Sequence, residues 1–384
     1  MKIVIAIGVL RQREAGAAGV VFNHAEELTK LGHNVDSWFF DELLPSPRWP
    51  ARFRDLEFAY AVSSRIRREP SRYDVVNLHC PWGCVFGLSR KFSSKQLPPY
   101  VFTLQGSEER FALAMRLEHA KGRGTNFAWR NRAWHRAYHQ QLYDFSISTA
   151  DYGVVANREG WILSELKYGH PPGRIWYVPN GVQEQFFQSR TFDENHANRL
   201  LYVGSWLDRK GVRYLADTFA AIAPRWKDLR LTVAGCIISE STVKDHFPVN
   251  VQSQVSVIPF VSRDAMPRLY ASHDIFVFPS LMEGMPLTLL EAMAGAMPLV
   301  TTNCCGMSDL IENGKNGLLV TPADSAALTE AILRLRDSPE LRQKLGLAAQ
   351  QTAQSYTWKS VVRGLERVLE LAVRSHQHGT NRNR

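Results

Sequence analysis

Short β-branched runs alternate with amphipathic stretches from one end of the chain to the other. Ile3–Ile7, Asn34–Phe39, Val75–His79, Tyr100–Leu104, Tyr152–Ala156 and Ile175–Val178 read as strands, with Val20–Leu31 and Trp161–Tyr168 as helices among them. Around Gln183–Asn198 the pattern lapses into polar, Gln- and Asn-rich residues. It restarts with Leu200–Gly204, Arg230–Gly235, Val255–Pro259, Ile275–Pro279, Pro298–Thr301 and Gly317–Val320. Helical periodicity fills the gaps at Val212–Ile222, Met266–Ser272, Thr288–Ala294 and Ala326–Arg336. A final amphipathic segment, Trp358–Val373, precedes a tail from Ser375 to Arg384 that is expected to fray.

Strands joined by helical crossovers make parallel, doubly wound sheets. The expected fold is therefore α/β, with two Rossmann-like domains over residues 1–182 and 199–357, a linker over 183–198, and a C-terminal helix over 358–374 packing back toward the N-terminal domain. Parallel sheets facing a central cleft would place ligands at the carboxyl ends of the strands. The opening Met1-Lys2 and Ile3–Leu10 could imitate a signal peptide, but the apolar run stops at Arg11 without a small-residue cleavage site. It reads as a buried first strand. No apolar run of about 18 residues is present, so no membrane-spanning helix is expected.

Composition is that of a globular protein, 45% hydrophobic and 22% charged, which excludes disordered, collagen-like and disulfide-stapled classes. Five cysteines (Cys80, Cys84, Cys236, Cys304, Cys305) lack CxxC or zinc-ligand spacing and read as reduced thiols in a cytoplasmic protein. The formal net charge of +9 is uneven. Residues 1–182 carry 24 basic and 17 acidic side chains, and within Arg110–Arg136 seven basic residues (Arg110, Arg116, Lys121, Arg123, Arg130, Arg132, Arg136) face Glu118 alone. Trp129, Trp134 and Tyr138 lie among them. Basic and aromatic residues together suit an anionic membrane surface, a lipid-diphosphate acceptor or nucleic acid, or an ordinary helix with buried aromatics and solvated arginines.

The most informative stretch is Pro279-Ser-Leu-Met-Glu283-Gly284-Met285-Pro286-Leu287-Thr288-Leu289-Leu290-Glu291-Ala-Met-Ala-Gly295. A buried strand ends at Pro279-Ser280, a loop carries Glu283-Gly284, and a helix opens near Leu287 with unpaired N–H groups suited to phosphate or hydroxyl oxygens. Glu283 and Glu291 could both accept from a polyhydroxylated ligand; equally, Glu283 could cap the helix and Glu291 sit on a solvated face. Val203-Gly204-Ser205-Trp206-Leu207-Asp208-Arg209-Lys210-Gly211 sets two cations in a glycine-bounded loop before a helix, as a diphosphate would need; by themselves the two cations read equally as surface charge.

The first of these stretches resembles the Glu-x7-Glu motif of the family 4 retaining glycosyltransferases, which have the GT-B fold. Arg209-Lys210-Gly211 resembles that family's Gly-Arg-x4-Lys-Gly element, with Lys210 on the Lys, Ser205 where the Arg usually stands, and Arg209 as its neighbouring substitute. Ala15-Gly16 before Val20–Leu31 resembles the Gly-Gly loop, with Gly16 on the second glycine; it is no GxGxxG fingerprint. Thr103-Leu-Gln105-Gly106 resembles a strand ending Thr-Leu-His-Gly, with Gln105 in place of the titratable His. Pro179-Asn180-Gly181-Val182 resembles the turn that ends the first domain, and His33 falls in the Gly-His turn with no catalytic part. The strand-end His79 is a further candidate, with a structural role equally open.

The resemblance implies a retaining transfer of sugar from a nucleotide-sugar donor to an acceptor hydroxyl. It places Glu283 at the donor sugar, Glu291 at the ribose, and Gly284, Met285, Pro286, Leu287, Thr288 and Leu289 around sugar and diphosphate. Lys210 and Arg209 would balance leaving-group charge, and Gln105 would position the sugar. No Asp-x-Asp occurs, so no metal or other cofactor is expected, with cations and a helix dipole in their place. A glycan or lipid-linked acceptor is implied, on the cytoplasmic face, with peripheral membrane contact through Arg110–Arg136 and no nucleic acid. The alternatives are a silent basic module of the same fold binding membrane or nucleic acid, and a GT-B-like epimerase; a phosphorylase would need a pyridoxal-phosphate lysine that is not evident.

Overall fold

The computed structural model describes residues 1–14, 16–122, 133–192 and 197–382, the side chains of 379–382 excepted. The chain divides into two compact units. The first comprises Met1–Arg110, Asn126–Asn180 and Trp358–Arg384; the second comprises Phe111–Thr125 and Gly181–Thr357.

The first unit is built on six parallel strands: β1 (Lys2–Ala6), β2 (Asn34–Trp38), β3 (Val75–His79), β4 (Tyr100–Leu104), β5 (Tyr152–Val155) and β6 (Ile175–Tyr177). Their order is β2-β1-β3-β4-β5-β6. Every residue of β3 and β4 is buried, so neither strand shows a polar-outward alternation, and the polar side chains they carry (Asn77, His79, Thr103) are buried with the rest. Alternate residues of β1 feed two cores. Val4 and Ala6 join Phe58, Phe86, Tyr100 and Phe102 on one face. Ile3 and Ile5 meet Val21, Leu28 and Val101 on the other, where Val362, Leu365, Val368 and Leu369 of the C-terminal helix complete the layer. That helix runs from Trp358 to Arg382. The fraying expected from Ser375 does not begin there, because Ser375 Oγ is bonded to the Tyr152 hydroxyl (2.8 Å) and His376 meets Gln96 (3.3 Å).

The second unit holds β7 (Arg199–Val203), β8 (Arg230–Ala234), β9 (Val255–Ile258), β10 (Ile275–Phe278), β11 (Leu299–Thr302) and β12 (Leu318–Val320), again all parallel. Their order, β12-β11-β10-β7-β8-β9, reverses direction between β7 and β10. The connections that follow those two strands run toward opposite edges of the sheet, and the crevice at the carboxyl ends where they part is where such sheets bind ligands. Part of the expected linker over 183–198 belongs to this unit: Phe186 is 1% exposed and packs edge-on against Tyr270 (6.0 Å).

Two buried histidines of the first unit report on its stability. His24, on the helix Gly16–Lys30, lies edge-on to Trp358 (5.4 Å). Neither ring nitrogen of His24 or of His79 has a hydrogen-bond partner among the described residues. Burial lowers the His24 pKa from 6.5 to about 4. Burial, with the His24 charge adding to it, lowers His79 from 6.5 to about 3. The unfolded chain therefore takes up protons first as the pH falls, so the stability these neutral rings carry is complete above about 6.5 and is lost progressively toward 4 and 3. Each ring contributes up to about 1.4 kcal/mol per pH unit over that window. Denaturant titrations of the chain and of His24→Leu should show a shallower loss between pH 6 and 4 in the variant; equal slopes would contradict the assignment.

Candidate active site

The loop after β7 is shaped by two glycines. Gly204 adopts φ +149 and Gly211 φ +70, the latter closing a single helical turn, Asp208–Lys210, and opening the helix Val212–Ile222. A Cβ on Gly211 would lie 1.8 Å from the Pro279 carbonyl oxygen, so only glycine lets this loop meet the one after β10. The two are stitched by Leu281 N–H donating to the Arg209 carbonyl (2.8 Å). Asp208 is drawn to Arg213 (2.8 Å), which leaves the neighbouring cations to other partners.

Those cations converge on one carboxylate. Lys210 Nζ lies 2.5 Å and Arg209 NH1 3.1 Å from Glu283 Oε1, and Ser280 Oγ donates to the same oxygen (3.2 Å). Lys210 also sits over the Phe278 ring (5.3 Å). Burial alone would raise the Glu283 pKa, but the charges of Lys210 and then Arg209 outweigh it and hold the carboxyl below its usual range. Burial lowers Lys210, with Arg209 adding to the effect and Glu283 opposing it. The site is thus two cations sharing one anion, an electropositive centre suited to a diphosphate.

On the far side of Gly284, the helix Leu287–Ala294 opens with Pro286 at its cap, leaving the N–H groups of its first residues without intrahelical acceptors. The loop is pinned from behind: a Cβ on Gly306 would lie 1.9 Å from the Gly284 oxygen. Met285, Pro286 and Leu289 are buried, so what these residues offer a ligand is backbone. Thr288 is half-buried, and its carbonyl receives the Tyr270 hydroxyl (3.2 Å). Glu291 is not on a solvated face. It is 6% exposed, accepts from the Tyr270 hydroxyl at 2.9 Å and faces Arg263 NH2 at 3.8 Å. Burial raises its pKa to about 7, against the opposing pull of Arg263 and the Tyr270 hydrogen bond.

Arg209, Lys210, Glu283 and Ser280 are therefore brought into direct contact. Ser205 takes no part in that cluster; its carbonyl accepts from the Tyr202 hydroxyl (3.0 Å). In the first unit, Gln105 follows β4 and its Oε1 accepts from Asn180 Nδ2 (3.1 Å). Gly16 begins the helix Gly16–Lys30 with open space where a Cβ would stand, so nothing in the protein itself demands glycine there. His33 is tied to Glu366 (2.9 Å), a structural role.

The basic stretch divides. Arg123, Arg130, Arg132 and Trp129 lie outside the described residues. Arg110 is paired with Glu159 (2.7 Å), Lys121 reaches the Tyr214 hydroxyl (3.3 Å), and Arg116 and Arg136 are exposed. Glu118 is buried and accepts from Tyr214, so it does not neutralise the surface. Sequence reasoning missed Tyr270, Ser280, Gly306 and the role of Arg263, each of which acts through a tertiary contact. Among the described residues no group of three His, Cys, Asp or Glu could hold a metal ion, and no helix is long and apolar enough to cross a membrane.

The family described as "Glycosyl transferases group 1" matches residues 197–338, and "Glycosyltransferase Family 4" matches residues 15–186. An uncharacterized glycosyltransferase of Methanocaldococcus jannaschii is 25% identical over 324 residues, 83% of this chain and 82% of that protein. The capsular polysaccharide biosynthesis glycosyltransferase CapM of Staphylococcus aureus is 30% identical over 178 residues, 44% of this chain and 46% of its own, so less than half of either is aligned. Among solved structures, the sucrose-phosphate synthase of Thermosynechococcus elongatus superposes with a TM-score of 0.78 over 97% of this chain and 99% of that one, at 16% identity. WaaG, a glycosyltransferase involved in lipopolysaccharide biosynthesis, does so at 0.71 over 96% and 99%, also at 16% identity. With both family matches in place, one over the unit that carries Gln105 and the other over the unit that carries Lys210, Glu283 and Glu291, the chain belongs to the group 1, family 4 glycosyltransferases and has the GT-B fold.

Proposed function

We propose that the protein is a retaining, metal-independent glycosyltransferase that moves a sugar from a nucleotide-diphosphate donor to an acceptor hydroxyl. The observation that carries this reading is the convergence of Lys210 and Arg209 on Glu283 Oε1 at the carboxyl ends of β7 and β10. Diphosphate oxygens would share those cations and the N–H groups at the start of Leu287–Ala294, balancing the charge that grows as the glycosidic C–O bond breaks. The new bond forms on the same face of the sugar, and the departing phosphate oxygen takes the acceptor's proton. Glu283 then orients the donor sugar, Glu291 meets the ribose, the Gly16 loop admits ligand close to backbone, and Gln105 hydrogen-bonds a sugar hydroxyl without titrating.

We place the activity in assembly of a cell-surface polysaccharide or glycolipid, with a glycan or lipid-linked acceptor and no nucleic-acid partner. Relatives named for capsular polysaccharide and amylovoran biosynthesis support that context. The excess of basic residues over Arg110–Arg136 supports peripheral contact with an anionic membrane on the cytoplasmic face. Replacing Arg130, Arg132 and Arg136 together should weaken co-sedimentation with phosphatidylglycerol vesicles; unchanged sedimentation would remove the membrane claim. The transfer itself is tested by nucleotide release from a panel of UDP-, GDP- and ADP-sugars in the presence of chelator, with the anomeric configuration of the product read by NMR. An inverted product, or release only with added metal, would contradict the reading.

A further inference from the structure

Glu291 is 6% exposed, yet only one of its oxygens is hydrogen-bonded among the described residues. Oε2 accepts from the Tyr270 hydroxyl at 2.9 Å. Oε1 is faced by Arg263 NH2 at 3.8 Å, close enough for ion pairing and too far for a hydrogen bond. Two groups fix Arg263: its Nε donates to Gln183 Oε1 at 2.8 Å, and its guanidinium lies over the Phe186 ring at 5.8 Å. Phe186 in turn packs edge-on against Tyr270, closing a ring of contacts around the carboxylate. The Arg263–Glu291 pair does not close to direct contact. It is held apart by bonds made elsewhere, with an acceptor oxygen and a fixed donor both left facing the gap.

We propose that Arg263 is a positioning residue for donor recognition: fixed by Gln183, it holds Glu291 turned so that Oε1 accepts from one hydroxyl of a nucleotide ribose while its own NH2 binds the adjacent hydroxyl. The inference rests on the proposed function, in which Glu291 meets the ribose. It makes the pair a reader of the vicinal diol, so that a 2′-deoxynucleotide loses one of two coupled contacts. Burial raises the Glu291 pKa to about 7, and Arg263 and the Tyr270 hydrogen bond pull the other way. Among the described residues no other charged group faces it: Gln183 and Phe186 are neutral, and the helix Pro339–Ala353 behind presents Gln350, bonded to the Ala294 carbonyl (2.8 Å). Removing the guanidinium charge therefore raises the Glu291 pKa further, and near neutral pH the carboxyl turns from an acceptor into a neutral acid.

The test is titration calorimetry of UDP, GDP and ADP and of their 2′-deoxy forms, from pH 5.5 to 8.5, on the full chain and on Arg263→Gln and Arg263→Lys, with thermal unfolding to show that each is folded. Arg263→Gln should weaken ribonucleotide binding at pH 7 by about tenfold, the size of one charged hydrogen bond. It should weaken the 2′-deoxy form less, and it should move the acid limb of binding to higher pH. Arg263→Lys, which keeps the charge, should return that limb toward the wild-type position. Wild-type affinity and an unmoved limb in Arg263→Gln would overturn the assignment of Arg263 while leaving the transferase reading intact. Failure of the wild-type chain to bind any of the nucleotides would refute that reading, and this inference with it.

Discussion

Glu283→Gln should separate nucleotide binding from transfer. In the free protein Lys210 and Arg209 both spend charge on Glu283 Oε1, so an arriving diphosphate must share the two cations with a carboxylate of its own sign. Glutamine keeps the shape and one acceptor oxygen but removes that repulsion. Nucleoside diphosphate affinity should be retained or increased. The sugar, by contrast, loses the ionised acceptor that orients it, and kcat should fall by about 10²–10³, the cost of deleting one preorganised electrostatic contact at a reacting centre. The fold should survive, because glutamine keeps the side chain's volume and an amide oxygen that Lys210, Arg209 and Ser280 can still donate to. Steady-state kinetics beside calorimetry reads both quantities. Undiminished kcat would remove Glu283 from the chemistry.

Gly211→Ala should have the largest effect on architecture. Two costs combine there: a left-handed backbone (φ +70) and a Cβ placed 1.8 Å from the Pro279 oxygen, a backbone atom at the end of a buried strand. Gly314 provides a control in the same unit, since it shares the conformation (φ +75) but has nothing within 4 Å of an added Cβ. Alanine at Gly314 should lose about 1 kcal/mol, the left-handed penalty alone. Alanine at Gly211 should lose about 3 kcal/mol or more, strain and overpacking together, and should also abolish nucleotide binding by shifting Arg209 and Lys210. Chemical denaturation of the two variants distinguishes the terms. Equal losses would mean that the stitch between the loops is not what holds the cations in place.

What was legible in the sequence follows burial. Val75–His79, Tyr100–Leu104 and Val212–Ile222 coincide with the observed elements, since the strands are β-branched and aromatic runs buried on both faces and the helix presents a continuous buried stripe. The helix Gly16–Lys30 starts earlier than the expected Val20, because Gly16-Ala17-Ala18-Gly19 carries no amphipathic signal. Residues Arg54–Arg68 and Pro339–Ala353 form helices that are absent from the expected elements; the first does carry a buried i, i+4 stripe of Phe58, Val62 and Ile66, set among arginines, whereas the second is rich in Gln and Ala and its stripe is weak. In the site, Arg209, Lys210 and Glu283 stand out through the family resemblance of their loops; by residue type alone the cations read equally as surface charge and Glu283 as a helix cap. Glu291 does not disclose its burial, because a glutamate on a helix reads as solvated until Tyr270 and Arg263 are seen around it. The same holds for Arg110, one of a basic run in sequence and half of an ion pair with Glu159 in space.

The central claim is that Lys210 and Arg209 form a diphosphate site, and calorimetry with UDP, GDP and ADP on the wild-type chain and on Lys210→Ala tests it most directly. At least one nucleotide should bind the wild type, and folded Lys210→Ala should bind it about fiftyfold more weakly, the loss of one or two charge-assisted contacts. No binding by the wild-type chain, or equal binding by the variant, would contradict the account.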